Sequence, residues 1–309
     1  MQVQRIAAFT NKGVGGNPAG VVLCDNLPEL EVMQSVAAQV GYSETAFAAP
    51  TVGGAWRVRY FSPELEVPFC GHATIALGAA LAGVHGVGQF PLIINDGDIT
   101  VTAERSALGW ACTLQSMPTQ SSALEKAVLA EALALFGYAI DDLDPEIAPR
   151  LASAGAQHLI IALRSRTALS RLNYDLEAGK RFMRQHRLVT IMFISRETER
   201  RFHVRNAFAS GGVFEDPATG AAAAALAGML RDLDWPHEGD ITILQGEDMG
   251  SPSHLQVTFT SEPGAAVHVH GETTEINSRD IGKMANFKPG TPGIRAADRS
   301  PLIQQQVKL

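Results

Sequence analysis

Apolar residues fall mostly into short alternating or β-branched runs, separated by Pro, Gly and Asn, with few stretches of helical period. Val3–Phe9, Ala19–Cys24, Trp56–Ser62, Trp110–Gln115, Gln157–Leu163, Leu188–Ile194 and Phe202–Phe208 read as strands. So do Ile241–Leu244, Leu255–Phe259 and Val267–Val269. Asn95-Asp96-Gly97-Asp98 between Pro91–Ile94 and Ile99–Thr102 is a hairpin signal. Helical period marks Glu29–Val40, opened by Pro28 and stopped by Gly41, and Tyr174–Arg187. A third helix, Leu124–Phe136, ends at Gly137 and is preceded by Ser122 and Glu125 at capping-box spacing. Many strands, few helices and hairpin turns favour an α+β fold with mixed or antiparallel sheets over strict βαβ alternation. Gly13-Val14-Gly15-Gly16 resembles a dinucleotide loop, but that motif needs a following helix. Here Pro18 and Gly20-Val21-Val22-Leu23 follow, which predicts a β-hairpin connection.

Two alanine-rich stretches break this pattern and repeat each other. Phe69-Cys70-Gly71-His72-Ala73-Thr74 through Leu81-Ala82-Gly83 lies over Phe214-Glu215-Asp216-Pro217-Ala218-Thr219 through Leu226-Ala227-Gly228, each after a β-rich approach. A long repeat of this kind argues for one fold used twice. Each copy predicts a helix of small residues able to sit tightly against a sheet, or inside one wrapped around it. The first-turn N–H groups of each lack intrahelical partners, so two such ends aimed into one cleft would hold a carboxylate. Residues 1–116 and 123–280 are therefore expected to form two pseudo-symmetric halves, with polar Met117–Ser122 as linker. Residues 281–309, with four Pro and Gly residues at 289, 290, 292 and 293, are expected to pack on the surface or to be partly disordered.

Composition narrows the class. At 309 residues the chain suits two domains. A net charge of −7, with no basic run beyond Arg196–Arg205, speaks against nucleic acid as partner. No apolar run is long enough for a membrane span, and Met1-Gln2-Val3 leads directly into a strand without a signal peptide. The three cysteines, Cys24, Cys70 and Cys112, are widely spaced, which suits a reducing cytosol and no zinc ribbon.

For chemistry, His72 at the turn into the first helix and Asp216 near the same place in the second are the first candidates. Asp at a helix start is commonly an N-cap. A His there is less easily explained, because the positive helix end disfavours its charged form. A neutral imidazole or a carboxylate in a cleft can pass protons. Glu44, where a helix ends and buried Thr45–Ala48 begins, reads from spacing alone as a solvated carboxylate. Cys70 has the context of one half of a two-thiol racemase, but the aligned residue in the second copy is Glu215, so a small buried residue is the simpler reading. His268 and His270 share a strand face without further ligands nearby, so no metal site is expected. No Gly-x-Ser-x-Gly elbow is present.

Several motifs occur together and in order. They are Gly16-Asn17-Pro18-Ala19-Gly20, Ser43-Glu44-Thr45-Ala46-Phe47, Arg59-Tyr60-Phe61-Ser62-Pro63, Glu66-Val67-Pro68-Phe69-Cys70-Gly71-His72-Ala73-Thr74 and Glu215-Asp216-Pro217-Ala218-Thr219-Gly220. As a set, spanning about residues 3–275, they resemble the PhzF-like family of phenazine-biosynthesis isomerases. The resemblance implies the diaminopimelate-epimerase fold, in which each half is a β-sheet wrapped around a central helix and the site lies between the halves. It also implies a homodimer and a reaction without metal or organic cofactor, such as isomerisation of trans-2,3-dihydro-3-hydroxyanthranilate by a glutamate that moves a proton between carbons. The resemblance carries that glutamate onto Glu44 and the catalytic partners onto His72 and Asp216. It assigns substrate contacts to Asn17, Gly71, Ala73, Gly220 and Ala221. Ala221 departs from the family's usual Ser, which removes a hydroxyl contact and allows a different substrate. The expected activity is a cytoplasmic, cofactor-independent isomerase of a small carboxylic acid. The alternatives are an amino- or hydroxy-acid epimerase using Cys70, and a non-catalytic binder of a small acid.

Overall fold

A computed structural model describes residues 1–276, so the expectation for 281–309 lies outside the described residues. The first half is a closed ring of eight strands. Gln4–Ala8 pairs with Asn17–Leu23, which runs parallel to Thr45–Pro50 and on to Trp56–Phe61. Trp56–Phe61 is parallel to Gly88–Ile94, which continues antiparallel through Gly97–Ser106 to Gly109–Gln115. Strand His268–Glu275 closes the ring, pairing with both Gly109–Gln115 and Gln4–Ala8. Inside runs the first core helix, Gly71–His85, with every residue from Gly71 to Ala82 buried. That explains its composition. A helix enclosed on all sides has no polar face to display, and small side chains let the strands approach it.

The second half repeats the same sequence of pairings. Arg150–Ser153, Gln157–Ala162, Thr190–Thr198, Arg201–Ala207, Asp240–Gln245 and Ser253–Thr258 follow one another with the same parallel and antiparallel steps, then reach His268–Glu275. They surround the second core helix, Gly220–Asp232. Strand His268–Glu275 is thus longer than the expected Val267–Val269, and it is common to both sheets.

The pseudo-twofold is present, but its register differs from the sequence alignment above. Glu66–Val67 pairs back onto Tyr60 and Phe61 just as Glu215–Asp216 pairs back onto Asn206 and Ala207. The core helices then begin at Gly71 and Gly220. Gly71 therefore corresponds to Gly220, His72 to Ala221, Cys70 to Thr219 and Val67 to Asp216. His72 and Asp216 are not symmetry mates, and neither are Cys70 and Glu215.

Two local expectations are also corrected. Polar Met117–Ser122 is not wholly a linker, because Gln120–Ala123 forms a strand on Arg150–Ser153. Ser122 consequently lies in that strand, and Glu125 is the N-cap residue of helix Lys126–Phe136, without a side-chain capping bond. Helices Leu30–Val40 and Lys126–Phe136 do end as expected, at Gly41 and Gly137 in the left-handed conformation. Strand Arg150–Ser153 and the short helix Arg166–Ser170 had no clear pattern to announce them. Among the described residues no helix is long and apolar enough to cross a membrane.

Close packing at the second core helix yields one stability prediction. A Cβ added to Gly228 would lie 2.4 Å from Thr119 Cβ, in the segment joining the halves. Gly228→Ala should therefore lower unfolding stability by about 1–3 kcal/mol, the usual range for overpacking. A urea midpoint unchanged from the parent would refute this packing.

Candidate active site

The two core helices meet end to end. A Cβ placed on Gly71 would stand 3.4 Å from both Gly220 Cα and the Ala221 backbone nitrogen. Both first turns thus open at one place between the halves, and their free N–H groups give it a positive bias. Neither N-cap residue, Cys70 or Thr219, makes a side-chain capping bond.

Around this junction three ionisable side chains are gathered and almost sealed from solvent: Glu44 at 6 % exposure, His72 at 4 % and Asp216 at 6 %. Asn17, at the start of its strand, ties the halves together. Its amide nitrogen donates to Asp216 Oδ1 at 2.7 Å and to the Ala218 carbonyl at 3.0 Å. Those bonds take both amide hydrogens, so His72 Nδ1, 3.2 Å from the same nitrogen, is left to accept from the Cys70 thiol at 3.3 Å. Nε2 then carries the imidazole proton, donates to Ser43 Oγ at 3.4 Å and stands 3.4 Å from Glu44 Oε2. That carboxylate oxygen is buried and has no hydrogen-bond partner. An unpartnered buried carboxylate oxygen is costly, which makes it a site to be explained by function.

Burial lowers the pKa of His72, against the opposing pull of Glu44, so the ring is neutral at neutral pH. Burial, reinforced by the Glu44 charge, raises Asp216 to about 7, although Thr219 and Asn17 donate to its carboxylate. The two carboxylates differ in their partners: Asp216 accepts from Asn17 and Thr219, whereas Glu44 Oε2 is left without a hydrogen bond. Burial also drives the Cys70 thiol well upward, with Glu44 adding to the effect, so it is a poor source of thiolate. Its counterpart Thr219 offers a hydroxyl, which leaves no pair of thiols at the junction.

Asp216 carries a linkage consequence. An unfolded aspartate titrates near 3.8, and the folded one near 7. Between these values the folded state binds more protons, so its stability advantage is full below about 4 and is lost as pH rises through about 7. Asp216→Asn should flatten the fall in stability over that window, read from urea midpoints at successive pH values. An unaltered slope would refute the assignment.

Of the remaining expected contacts, Gly71 and Gly220 form the junction itself, and Ala221 is partly exposed in the first turn beside it. Ala73 lies in the first turn of the first core helix and is fully buried. Three further polar side chains were not singled out from the sequence. Thr219 Oγ1 donates to Asp216 Oδ2 and accepts from Asn206 Nδ2 at 2.6 Å and from Gln245 Nε2 at 3.2 Å. Gln245 Nε2 also donates to the Asp216 carbonyl at 2.7 Å. Thr219 belongs to the Glu215-Asp216-Pro217-Ala218-Thr219-Gly220 motif, whereas Asn206 and Gln245 sit on distant strands and carry no local signal.

Comparison with known proteins agrees with this architecture. The family model for phenazine biosynthesis-like proteins, PhzC-PhzF, matches residues 6–279. The uncharacterized isomerase YddE of Escherichia coli O157:H7 is 32 % identical over 268 residues, covering 84 % of this chain and 90 % of that protein. The trans-2,3-dihydro-3-hydroxyanthranilate isomerase of Pseudomonas aeruginosa is 32 % identical over 273 residues, covering 86 % of this chain and 94 % of its own. Among solved structures, a Bacillus anthracis phenazine biosynthesis protein of the PhzF family superposes with a TM-score of 0.79 at 23 % identity, covering 90 % of this chain and 98 % of the other. The fold is the one expected, with two related halves each built around a helix.

Proposed function

The chain belongs to the phenazine biosynthesis-like (PhzC-PhzF) family of isomerases, and from that premise we propose that it moves a proton between two carbons of a small carboxylic acid, with Glu44 as carrier. The observation that carries this reading is the Glu44 carboxylate oxygen, buried without a hydrogen-bond partner beside a neutral imidazole. A carboxylate held out of water beside a neutral imidazole is placed to accept a proton from a bound carbon acid.

The substrate carboxylate lies against the paired helix ends, where first-turn N–H groups of Gly71–His85 and Gly220–Asp232 donate to it. Glu44 takes a proton from one carbon, becomes a neutral acid that exchanges with solvent in a fraction of turnovers, and delivers a proton to a second carbon as the double bond shifts. His72, through Nε2–H, stabilises negative charge as it builds on the substrate or on Glu44. Asp216, held by Asn17 and Thr219, offers a protonated carboxyl on the acid side of pH 7 and a second anion above it. The dihydro-hydroxyanthranilate reaction of the Pseudomonas relative is the reference chemistry. Ala221, which bears no hydroxyl, is the position where this chain would admit a different acid.

The test needs no known product. Candidate unsaturated and cyclic carboxylic acids are incubated with the protein in deuterated water and examined by mass spectrometry. Deuterium gained at carbon, dependent on intact Glu44, is the expected result. Saturable binding of an acid with no carbon exchange would replace this reading with a non-catalytic binder.

A further inference from the structure

We propose that Asn206 and Gln245 are positioning residues for the reaction: they turn the hydroxyl hydrogen of Thr219 onto Asp216 and so fix the orientation of that carboxyl at the helix junction. The inference rests on the reading of Asp216 as part of the acid–base site. It starts from an anomaly. Thr219 is the N-cap residue of Gly220–Asp232, and a threonine there ordinarily accepts from an N–H of the first turn. Its hydroxyl makes no such bond and is engaged instead with Asp216, Asn206 and Gln245.

A hydroxyl has one hydrogen and two lone pairs. Gln245 cannot turn over, because both its ends serve main-chain groups with fixed roles. Oε1 accepts from the Thr219 N–H at 3.3 Å, and Nε2 donates to the Asp216 carbonyl at 2.7 Å. Its second N–H is therefore directed at Thr219 Oγ1, 3.2 Å away. Asn206 Nδ2 supplies the other donor at 2.6 Å. With both lone pairs filled, the hydroxyl hydrogen goes to Asp216 Oδ2. Asn17 donates to Oδ1 from the opposite half, so the carboxyl is gripped at both oxygens and its plane is fixed. A proton taken up by Asp216 then has to sit on a lone pair turned away from both donors.

A second observation points the same way. Asn206 and Gln245 are fully buried, and Asn206 Oδ1 has no hydrogen-bond partner. An orphaned buried oxygen is unfavourable, and here it accompanies the turning of the amide nitrogen towards Thr219. The opposite rotamer would give that oxygen the hydroxyl hydrogen and strip Asp216 Oδ2 of its donor. The backbone sets up the arrangement: Asn206 lies directly across from Asp216 in the strand pairing, and Gln245 ends strand Asp240–Gln245 beside Val204. Diverting the hydroxyl also leaves the first-turn N–H groups of this helix without their side-chain cap, and so open to a ligand.

The experiment reads two quantities on the full-length protein: carbon exchange in deuterated water, and the carbon-13 resonance of the Asp216 carboxyl, assigned by its absence in Asp216→Asn. Asn206→Leu and Gln245→Met keep side-chain size and remove the donors. Each should lower kcat about tenfold, roughly the worth of one hydrogen bond, with KM little changed. Thr219→Val should cost at least as much and should move the resonance, and Thr219→Ser, which keeps the hydroxyl, should recover most of that loss. The double variants decide. In the Thr219→Val background, Asn206→Leu and Gln245→Met should cause no further loss of kcat and no further movement of the resonance. Losses that multiply, as independent packing defects do, or a resonance that Thr219→Val leaves in place, overturn the inference. If Asn206→Leu fails to fold, the Gln245→Met cycle serves. The resonance needs no substrate. Coupling seen there without carbon exchange on any acid fails the isomerase reading alone, and exchange without coupling fails this inference alone.

Discussion

Glu44→Gln is expected to lower kcat by about 10³-fold or more, because positioned acid–base groups typically contribute 10²–10⁴-fold and this residue serves in both directions. The substitution keeps the size of the side chain and removes only the ability to accept and return a proton. KM should change little, since the substrate carboxylate is assigned to the helix ends rather than to residue 44. The fold should be preserved, because Oε2 makes no hydrogen bond that an amide would break. Turnover within a few-fold of the parent, measured on any acid that shows carbon exchange, would remove Glu44 from the mechanism. A loss of kcat accompanied by loss of native near-ultraviolet circular dichroism would instead report unfolding, and Glu44→Asp, which keeps the charge and shortens the reach, then separates the two.

The second large effect concerns stability. Arg205 and Glu215 form a buried bidentate pair, with Nε to Oε1 at 3.0 Å and Nη2 to Oε2 at 2.6 Å. Arg205 also donates to the carbonyls of Ser170 and Leu172, binding the loop after Arg166–Ser170 to the sheet. Glu215 immediately precedes Asp216, so this pair fixes the approach to the second core helix. Removing one partner strands a buried charge, at a cost of about 3–5 kcal/mol. Arg205→Met should therefore shift the urea midpoint far down. Combining it with Glu215→Leu should recover much of the loss, since two apolar side chains can replace a buried pair of similar volume. If the double variant is as unstable as the sum of the singles, the two residues are not coupled and the pair is not what holds this turn.

The repeat was legible in the chain because its elements share composition and order, and its register was not. Alanines carry no information about phase, since any alanine lies over any other, so the helices alone admit several alignments. The phase is fixed by Glu66-Val67-Pro68 and Glu215-Asp216-Pro217, whose two-residue strands pair back onto Tyr60–Phe61 and Asn206–Ala207. The loop before that strand is longer in the second half, which displaces the sequence match. Glu44 shows a different limit. Its spacing is that of a solvated strand-end carboxylate, and only the resemblance to a family singled it out. It is buried beside His72 of the core helix, with Asp216 of the other half near enough for the two charges to act on each other, neighbours remote in sequence. The failed capping box has the same origin: Ser122 had a sound local role, but pairing with Arg150–Ser153 offered its backbone four residues of ladder instead.

Corresponding positions in the two halves hold unlike side chains: His72 against Ala221, Cys70 against Thr219, Asp216 against Val67. The strand Thr190–Thr198 is likewise entered from Val189, with no carboxylate like Glu44 ahead of it. A ligand lying at the junction would meet its base from one side alone. Hydrogen would depart from and come back to a single face, so the product would have a fixed handedness and part of an isotopic label would survive each passage.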